Sequence, residues 1–183
     1  LTTTFRADGS SKFFKNKWGF FPSVALAWSL GNEKFMQQQD IIQDSKLRVS
    51  YGLVGSQAIS PYETLGLMKQ VGYAYGGSTK YTGFWAGTSR ATPNLTWEKT
   101  HQFNIGIDFA TLAHRLRFSI DYFNKTTKDG LLKKTLPQYD GGGTYWVNAC
   151  EVVNRGVDFT IDAHILNQKD LNWSSSFTGS YLK

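Results

Sequence analysis

The sequence predicts an all-β chain, an antiparallel transmembrane β-barrel segment of about seven long meander strands. Three observations lead there. The first is alternation with period two. In His101 to Phe123, Phe103, Ile105, Ile107 and Phe109 interleave with Asn104, Gly106 and Asp108, and Leu116, Phe118, Ile120 and Tyr122 resume the pattern. The second is that short and long connections alternate along the chain, apart from one medium link at 31–44, as they do where brief turns lie at one end of a barrel and long loops at the other. The third is that charges on the apolar faces gather at the long-loop end.

The strands are expected near 1–7, 19–30, 45–54, 97–109, 114–125, 153–166 and 172–183. The first opens on the strand-like Leu1-Thr2-Thr3-Thr4-Phe5. Segments 19–30 and 45–54 follow connections of unequal length, 8–18 and 31–44. Within the latter, "EKFMQQQDII" reads as a short amphipathic helix carrying Phe35, Met36 and Ile42 near one side. Strand 97–109 would reach roughly 40 Å at about 3.3 Å per residue, where an ordinary globular strand has about 5–6 residues. Its apolar side runs Trp97, Lys99, His101, Phe103, Ile105, Ile107, Phe109, charged only next to the long loop. The 114–125 strand returns after a tight turn near Thr111-Leu112, which sets Asp108 opposite Arg115 or Arg117. In 153–166, Val157, Phe159, Ile161, Ala163 and Ile165 are apolar and Arg155 stands at the long-loop end. Trp97, Tyr122, Trp173 and Tyr181 fall near band edges, where aromatic girdles are expected. The lipid-facing set is thus Phe103, Ile105, Ile107, Phe109, Leu116, Phe118, Ile120, Val157, Phe159 and Ile161. A soluble β-sandwich that binds glycans or adheres to surfaces shares the alternation, and is the competing fold. It gives no reason for charges to collect at one end of an inner face.

Composition narrows the function classes. The 20 Lys and Arg against 14 Asp and Glu give a net charge of +6. The cations are scattered and no basic groove interleaves aromatic rings, which disfavours nucleic acid. A single cysteine, Cys150, excludes an internal disulfide. No apolar run of about 18 residues forms a transmembrane helix, which leaves strands as the way across a bilayer. The chain does not open on a signal peptide. Both ends read as strand in mid-element, so the chain is expected to be an excised piece.

Several ordered blocks carry a family resemblance. "RADGSSKFFKNKWGFFPSVALAWSL" (6–30), "EKFM" followed by "DSKLRVSYGLVGSQAI" (44–59), "TPNLTWEKTHQFNIGIDFATLAHRLRFSIDYFNKTTKDGLL" (92–132) and "NACEVVNRGVDFTIDAHI" (148–165) resemble the SusC/RagA family of TonB-linked outer-membrane transporters. The likeness covers nearly all the chain except loop 60–90. Cys150 stands where the fourth block usually has glycine, which would alter a local turn. The resemblance implies a 22-stranded barrel closed by an N-terminal plug, of which residues 1–183 would be a partial barrel from the second half, without plug or N-terminal domains. It further implies a non-enzymatic importer of oligosaccharides or peptides in the outer membrane of a Bacteroidetes-type Gram-negative bacterium. The partners implied are outer-membrane lipid, a SusD-like surface lipoprotein, and the TonB complex acting through the absent N-terminal part. No cofactor is implied.

Catalytic and metal signatures fail on spacing. Asp8-Gly9-Ser10-Ser11 lacks the ligand series of a calcium loop. His101, His114 and His164 sit on separate strands. Asp158 and Asp162 share a strand face but lie roughly 13 Å apart, too far for a close carboxylate pair. Gly141-Gly142-Gly143 follows no strand–helix junction and reads as a loop. The aromatic loops are the better candidates. Tyr62, Tyr73, Tyr75, Tyr81, Phe84 and Trp85 fall in loop 55–96, and Tyr139, Tyr145 and Trp146 in loop 126–152. Such rings either pack on one another or contact a sugar ring or partner protein. The candidate contact set is Tyr73, Tyr75, Tyr81, Phe84, Trp85, Tyr145 and Trp146.

Overall fold

The computed structural model describes residues 1–36, 42–74, 80–85, 89–112, 114–140, 142–167 and 171–183. Among the described residues nine strands run β1 (Thr2–Gly9), β2 (Trp18–Ser29), β3 (Ile42–Ser56), β4 (Lys69–Ala74), β5 (Lys80–Trp85), β6 (Glu98–Thr111), β7 (Leu116–Thr135), β8 (Thr144–Asn167) and β9 (Asn172–Leu182). Seven make one sheet in the order β1-β2-β3-β6-β7-β8-β9, every neighbouring pair antiparallel. β4 and β5 form a separate hairpin inside the long connection between β3 and β6. The main sheet is therefore a meander. A Greek-key sandwich would place sequence neighbours in different sheets.

Register carries the apolar faces into one surface. Leu26, Val49, Ile105, Tyr122, Val157 and Tyr181 stand side by side across six strands. The next row is Trp28, Leu47, Ile107, Ile120, Phe159 and Gly179. Phe109, Phe118, Ile161 and Phe177 continue it, with the rings of Phe109 and Phe118 stacked at 4.7 Å. This face is open: Ile105 is 38% and Ile107 37% exposed.

The apolar band does not follow the rungs of the ladder. On β2 it runs from Trp18 to Trp28, centred on the rung of Ser23, Gly52 and Gln102. On β8 it runs from Val157 to Ile165, centred on the rung of Ile161, Phe118 and Phe109. The band thus slides by roughly one to two residues per strand. At about 3.3 Å rise and about 4.8 Å between strands this is a tilt of about 45°, the slope that tilted barrel strands present to a flat slab.

Four expectations are corrected. Loop 126–152 is mostly strand, because β7 continues to Thr135 and β8 begins at Thr144. Tyr145 and Trp146 therefore lie on β8. The charges of 125–134 had hidden these residues, yet a hairpin that runs on past the apolar band keeps its backbone pairing without apolar alternation. Cys150 is accordingly on a strand, opposite Gly130 at a bulge where Asp129 has φ 56°. The connection after β6 closes on the pair Thr111–Leu116, longer than a two-residue turn, so Asp108 faces Ser119 rather than Arg115 or Arg117. Trp97 is no girdle residue: it is 3% exposed, inside a small core. In place of the expected amphipathic helix, Leu30–Asn32 forms one 3₁₀ turn and residues 34–36 a turn, while 37–41 lie outside the described residues.

Candidate functional site: a polar wall and a loop cap

Opposite the apolar band, the polar positions form a continuous wall. Arg48 on β3 stands across from Gly106 on β6, which stands across from Asp121 on β7. The Arg48 guanidinium donates to both Asp108 oxygens, Nε at 2.7 Å and Nη2 at 2.9 Å, and Nη2 also reaches Asp121 at 3.0 Å. The Ser119 hydroxyl donates to Asp108 at 2.7 Å. Gly106 leaves the space this needs, since a Cβ there would run into the Asp121 carboxylate and come within 2.9 Å of Arg48 Nη2. Asp158 faces Asp121 from β8 and accepts from the Ser180 hydroxyl at 2.5 Å. Arg48, Gln102, Asn104, Asp121 and Asp158 line a shallow groove of about 490 Å³. Such a wall offers fixed acceptors and one forked donor to hydroxyl or amide groups. Gly106→Ala is expected to break the Arg48–Asp121 contact and cost about 1–2 kcal/mol. Denaturant unfolding in detergent measures it, and an unchanged midpoint would refute the steric argument.

At the long-loop end the chain builds a cap. Phe13, Phe21, Ile59, Leu95 and Trp97 are buried together, with Leu53, Leu131 and Trp146 packed against them. The Phe13 ring is fully buried and lies 5.3 Å from that of Trp97. Gly19 and Gly55 lie against the Phe21 ring, where a Cβ would collide with it. Polar ties then bind loop 57–97 to its neighbours. The Trp146 indole N–H donates to the Glu63 carboxylate, and Lys133 Nζ lies 3.4 Å from Glu63. Asn148 works in both directions: its amide oxygen accepts from the Thr96 N–H at 2.9 Å, and its NH₂ donates to the carbonyls of Thr96 at 3.0 Å and Asp129 at 2.7 Å. The buried Thr64 hydroxyl donates to the Lys12 carbonyl at 2.8 Å.

The sequence-derived candidates divide accordingly. Trp146 is engaged in the cap. Tyr73 and Tyr81 are register partners on the β4–β5 hairpin, which also carries Phe84 and Trp85. Tyr75 lies outside the described residues. Phe103, Ile105, Ile107, Phe109, Leu116, Phe118, Ile120, Val157, Phe159 and Ile161 share the apolar face. Sequence reading missed Arg48, Glu63, Asn148 and Phe13 as organising residues. The even polar position of Arg48 in "KLRVSYG" was the one legible signal among them.

Known proteins agree with this geometry. Residues 1–182 match the family model described as TonB dependent receptor-like, beta-barrel. TonB-dependent receptor P3 of Formosa agariphila is 40% identical over 98% of this chain and 18% of its own length. TonB-dependent receptor SusC of Bacteroides thetaiotaomicron is 35% identical over 97% of this chain and 18% of its own. The RagAB peptide importer in its 'closed-closed' state superposes with a TM-score of 0.87 at 30% identity, over 98% of this chain and 19% of that one. The chain spans about a fifth of the length of these relatives. A meander sheet with one apolar and one polar face, matched end to end by these proteins, belongs to the TonB-dependent receptor β-barrel family, in its SusC/RagA branch.

Proposed function

We propose that this chain is a stretch of barrel wall and loop in an outer-membrane receptor that imports a nutrient, an oligosaccharide or a peptide, at the expense of energy delivered by TonB. The observation that carries the reading is the oblique apolar band. Its slope fits tilted strands crossing a slab, and a packed protein layer has no reason to follow it. Phe103, Ile105, Ile107, Phe109, Leu116, Phe118, Ile120, Val157, Phe159 and Ile161 would then touch lipid hydrocarbon. The Arg48 wall would face the water-filled interior, which the plug of the complete receptor occupies. A SusD-like lipoprotein would sit over the loop cap. Tyr73, Tyr75, Tyr81, Phe84, Trp85 and Tyr145 would offer ring faces to it or to the cargo, with Trp146 holding the cap from behind. The similar RagAB peptide importer favours peptide, while the glycan reading rests on the ring-rich loops. The chain's part is mechanical, and no bond is made or broken.

The test has two arms. Nitroxide probes at Ile105, Ile107, Phe118 and Phe159 of the full-length receptor in bilayers should be relaxed by oxygen dissolved in the lipid. Cells lacking the receptor should lose uptake of an oligosaccharide or peptide pool, as should cells lacking TonB. Probes shielded from oxygen would refute the wall, and unchanged uptake of both pools would refute import.

A further inference from the structure

A pocket of about 430 Å³ opens between the loop wall at 91–95 and the β8 wall at 146–148. That volume is in the range of small-ligand sites. The pocket lies on the polar side of the sheet, beyond the Arg48 wall toward the long loops, because Trp146 packs against the cap core that Phe21 joins from the polar face of β2. Pro93 and the half-exposed Trp146 supply C–H surface to it. The Trp146 indole N–H is spent on the Glu63 carboxylate, so the ring offers its apolar surface alone. The loop wall is a fixed turn. The Leu95 N–H donates to the Thr92 carbonyl at 3.2 Å and the Thr92 N–H to the Thr64 carbonyl at 3.0 Å. The Asn16 amide donates to the carbonyls of Asn94 and Leu95, both at 3.4 Å. Pro93 presets the second position of that turn.

Two polar groups at the loop wall are unspent. The Thr92 hydroxyl is buried and has no partner among the described residues, a state that costs free energy until a polar group meets it. Lys15 Nζ donates to the Asn94 side-chain oxygen at 3.1 Å and keeps two further donors. Among the described residues Lys15 has no carboxylate partner, and neither has Arg90, exposed beside Ala91. Acids on the β8 side are engaged or turned elsewhere. Glu63 takes the Trp146 indole and Lys133, and Glu98 accepts from the Leu131 N–H at 3.2 Å. Asp129 meets Asn148 through its backbone carbonyl, not its carboxylate. An extended peptide would be gripped through backbone groups, but those of this wall are taken, since Asn148 covers both the N–H and the carbonyl of Thr96. What remains is an apolar face, a bare hydroxyl and an unneutralised ammonium.

We propose that this pocket is a subsite for a uronic acid unit of an incoming oligosaccharide. The inference rests on the import reading above and chooses between its two cargoes. The C–H face of the sugar ring would lie on Trp146 and Pro93. A ring hydroxyl would meet the Thr92 hydroxyl, and the carboxylate would take the free donors of Lys15 in charge-assisted hydrogen bonds. The Arg90 charge adds attraction from the rim. Because the turn at 92–95 is already held in place, little ordering opposes binding.

The experiment titrates the full-length receptor, in a neutral detergent, with short oligomers of galacturonate, glucuronate and mannuronate. Each is paired with the same oligomer after reduction of its carboxylates to alcohols, and an oligoglutamate peptide is the acidic control. At least one uronate oligomer is expected to bind about tenfold tighter than its reduced form. It should also slow amide hydrogen exchange across 91–96 and 144–148. K15Q should lose the tenfold preference and K15R should keep it, while T92V should weaken both forms alike. The proposal is overturned by no uronate binding, by equal affinity for acid and reduced forms, by tighter binding of oligoglutamate, by an unaltered K15Q, or by exchange slowed only in other segments. Uptake in cells reports separately on import, so a receptor that imports either pool and gives one of these results rejects this inference alone.

Discussion

Ile107→Arg in the full-length receptor is expected to destabilise the folded barrel by about 2–4 kcal/mol, the cost of a guanidinium at the lipid midplane. Ile107 lies at the middle of the band on β6, between Leu47 on β3 and Ile120 on β7. Neither neighbour offers a polar partner, and mid-band positions such as this leave a guanidinium the longest reach to either edge. Asn104→Arg is the matched control. It sits three residues away on the opposite face, beside Ser50, whose hydroxyl accepts from the Asn104 amide at 3.4 Å. A cation there meets water and the Asp121 side of the wall, and the change should stay within about 0.5 kcal/mol. Folding into lipid vesicles from denaturant measures both. Equal costs at the two positions would mean the faces do not differ in solvent, and the barrel assignment of the faces would fail.

The second large effect is expected in the loop cap. Phe13→Ala should remove about 3–5 kcal/mol from the cap's local stability. The ring is fully buried against Trp97. The cavity it leaves is closed by loop 10–17 and by segment 57–97, whose β4–β5 ladder is separate from the main sheet. Loss should stay local, because the β2–β3 and β3–β6 ladders below the cap do not depend on the ring. Limited proteolysis is the readout: loop 57–97 should be cut at least tenfold faster, with the barrel's unfolding temperature nearly unchanged. Undiminished resistance would show that Glu63, Asn148 and Thr64 hold the cap without its core.

How much of this was legible beforehand differs by region. Where a strand has one apolar and one polar face, side-chain alternation is a direct record of which residues share each face. The segments around Phe103–Phe109, Leu116–Tyr122 and Val157–Ile161 were readable for that reason, and the structure brings them onto one face. Above the band the continuous apolar face ends, alternation lapses, and the upper halves of β7 and β8 looked like loop. Turn length was equally hidden. Leu112 and His114 both adopt positive φ, at 54° and 61°, a conformation that side-chain chemistry there does not announce. The longer turn moved Asp108 from Arg115 or Arg117 to Ser119.

Sequence alone determined the strand class, the two-faced character and the SusC/RagA kinship, because each is written in local periodicity or in contiguous blocks. Tertiary structure decided what depends on register between strands far apart in the chain. Only the ladder brings Arg48 to Asp108 and Asp121 across Gly106, buries Trp97 under Phe13, hands the Trp146 indole to Glu63, and sets Lys99 against Lys128. The physical reason is that a strand's own pattern specifies which way each side chain points, whereas its partners are selected by turn length, bulges and tilt.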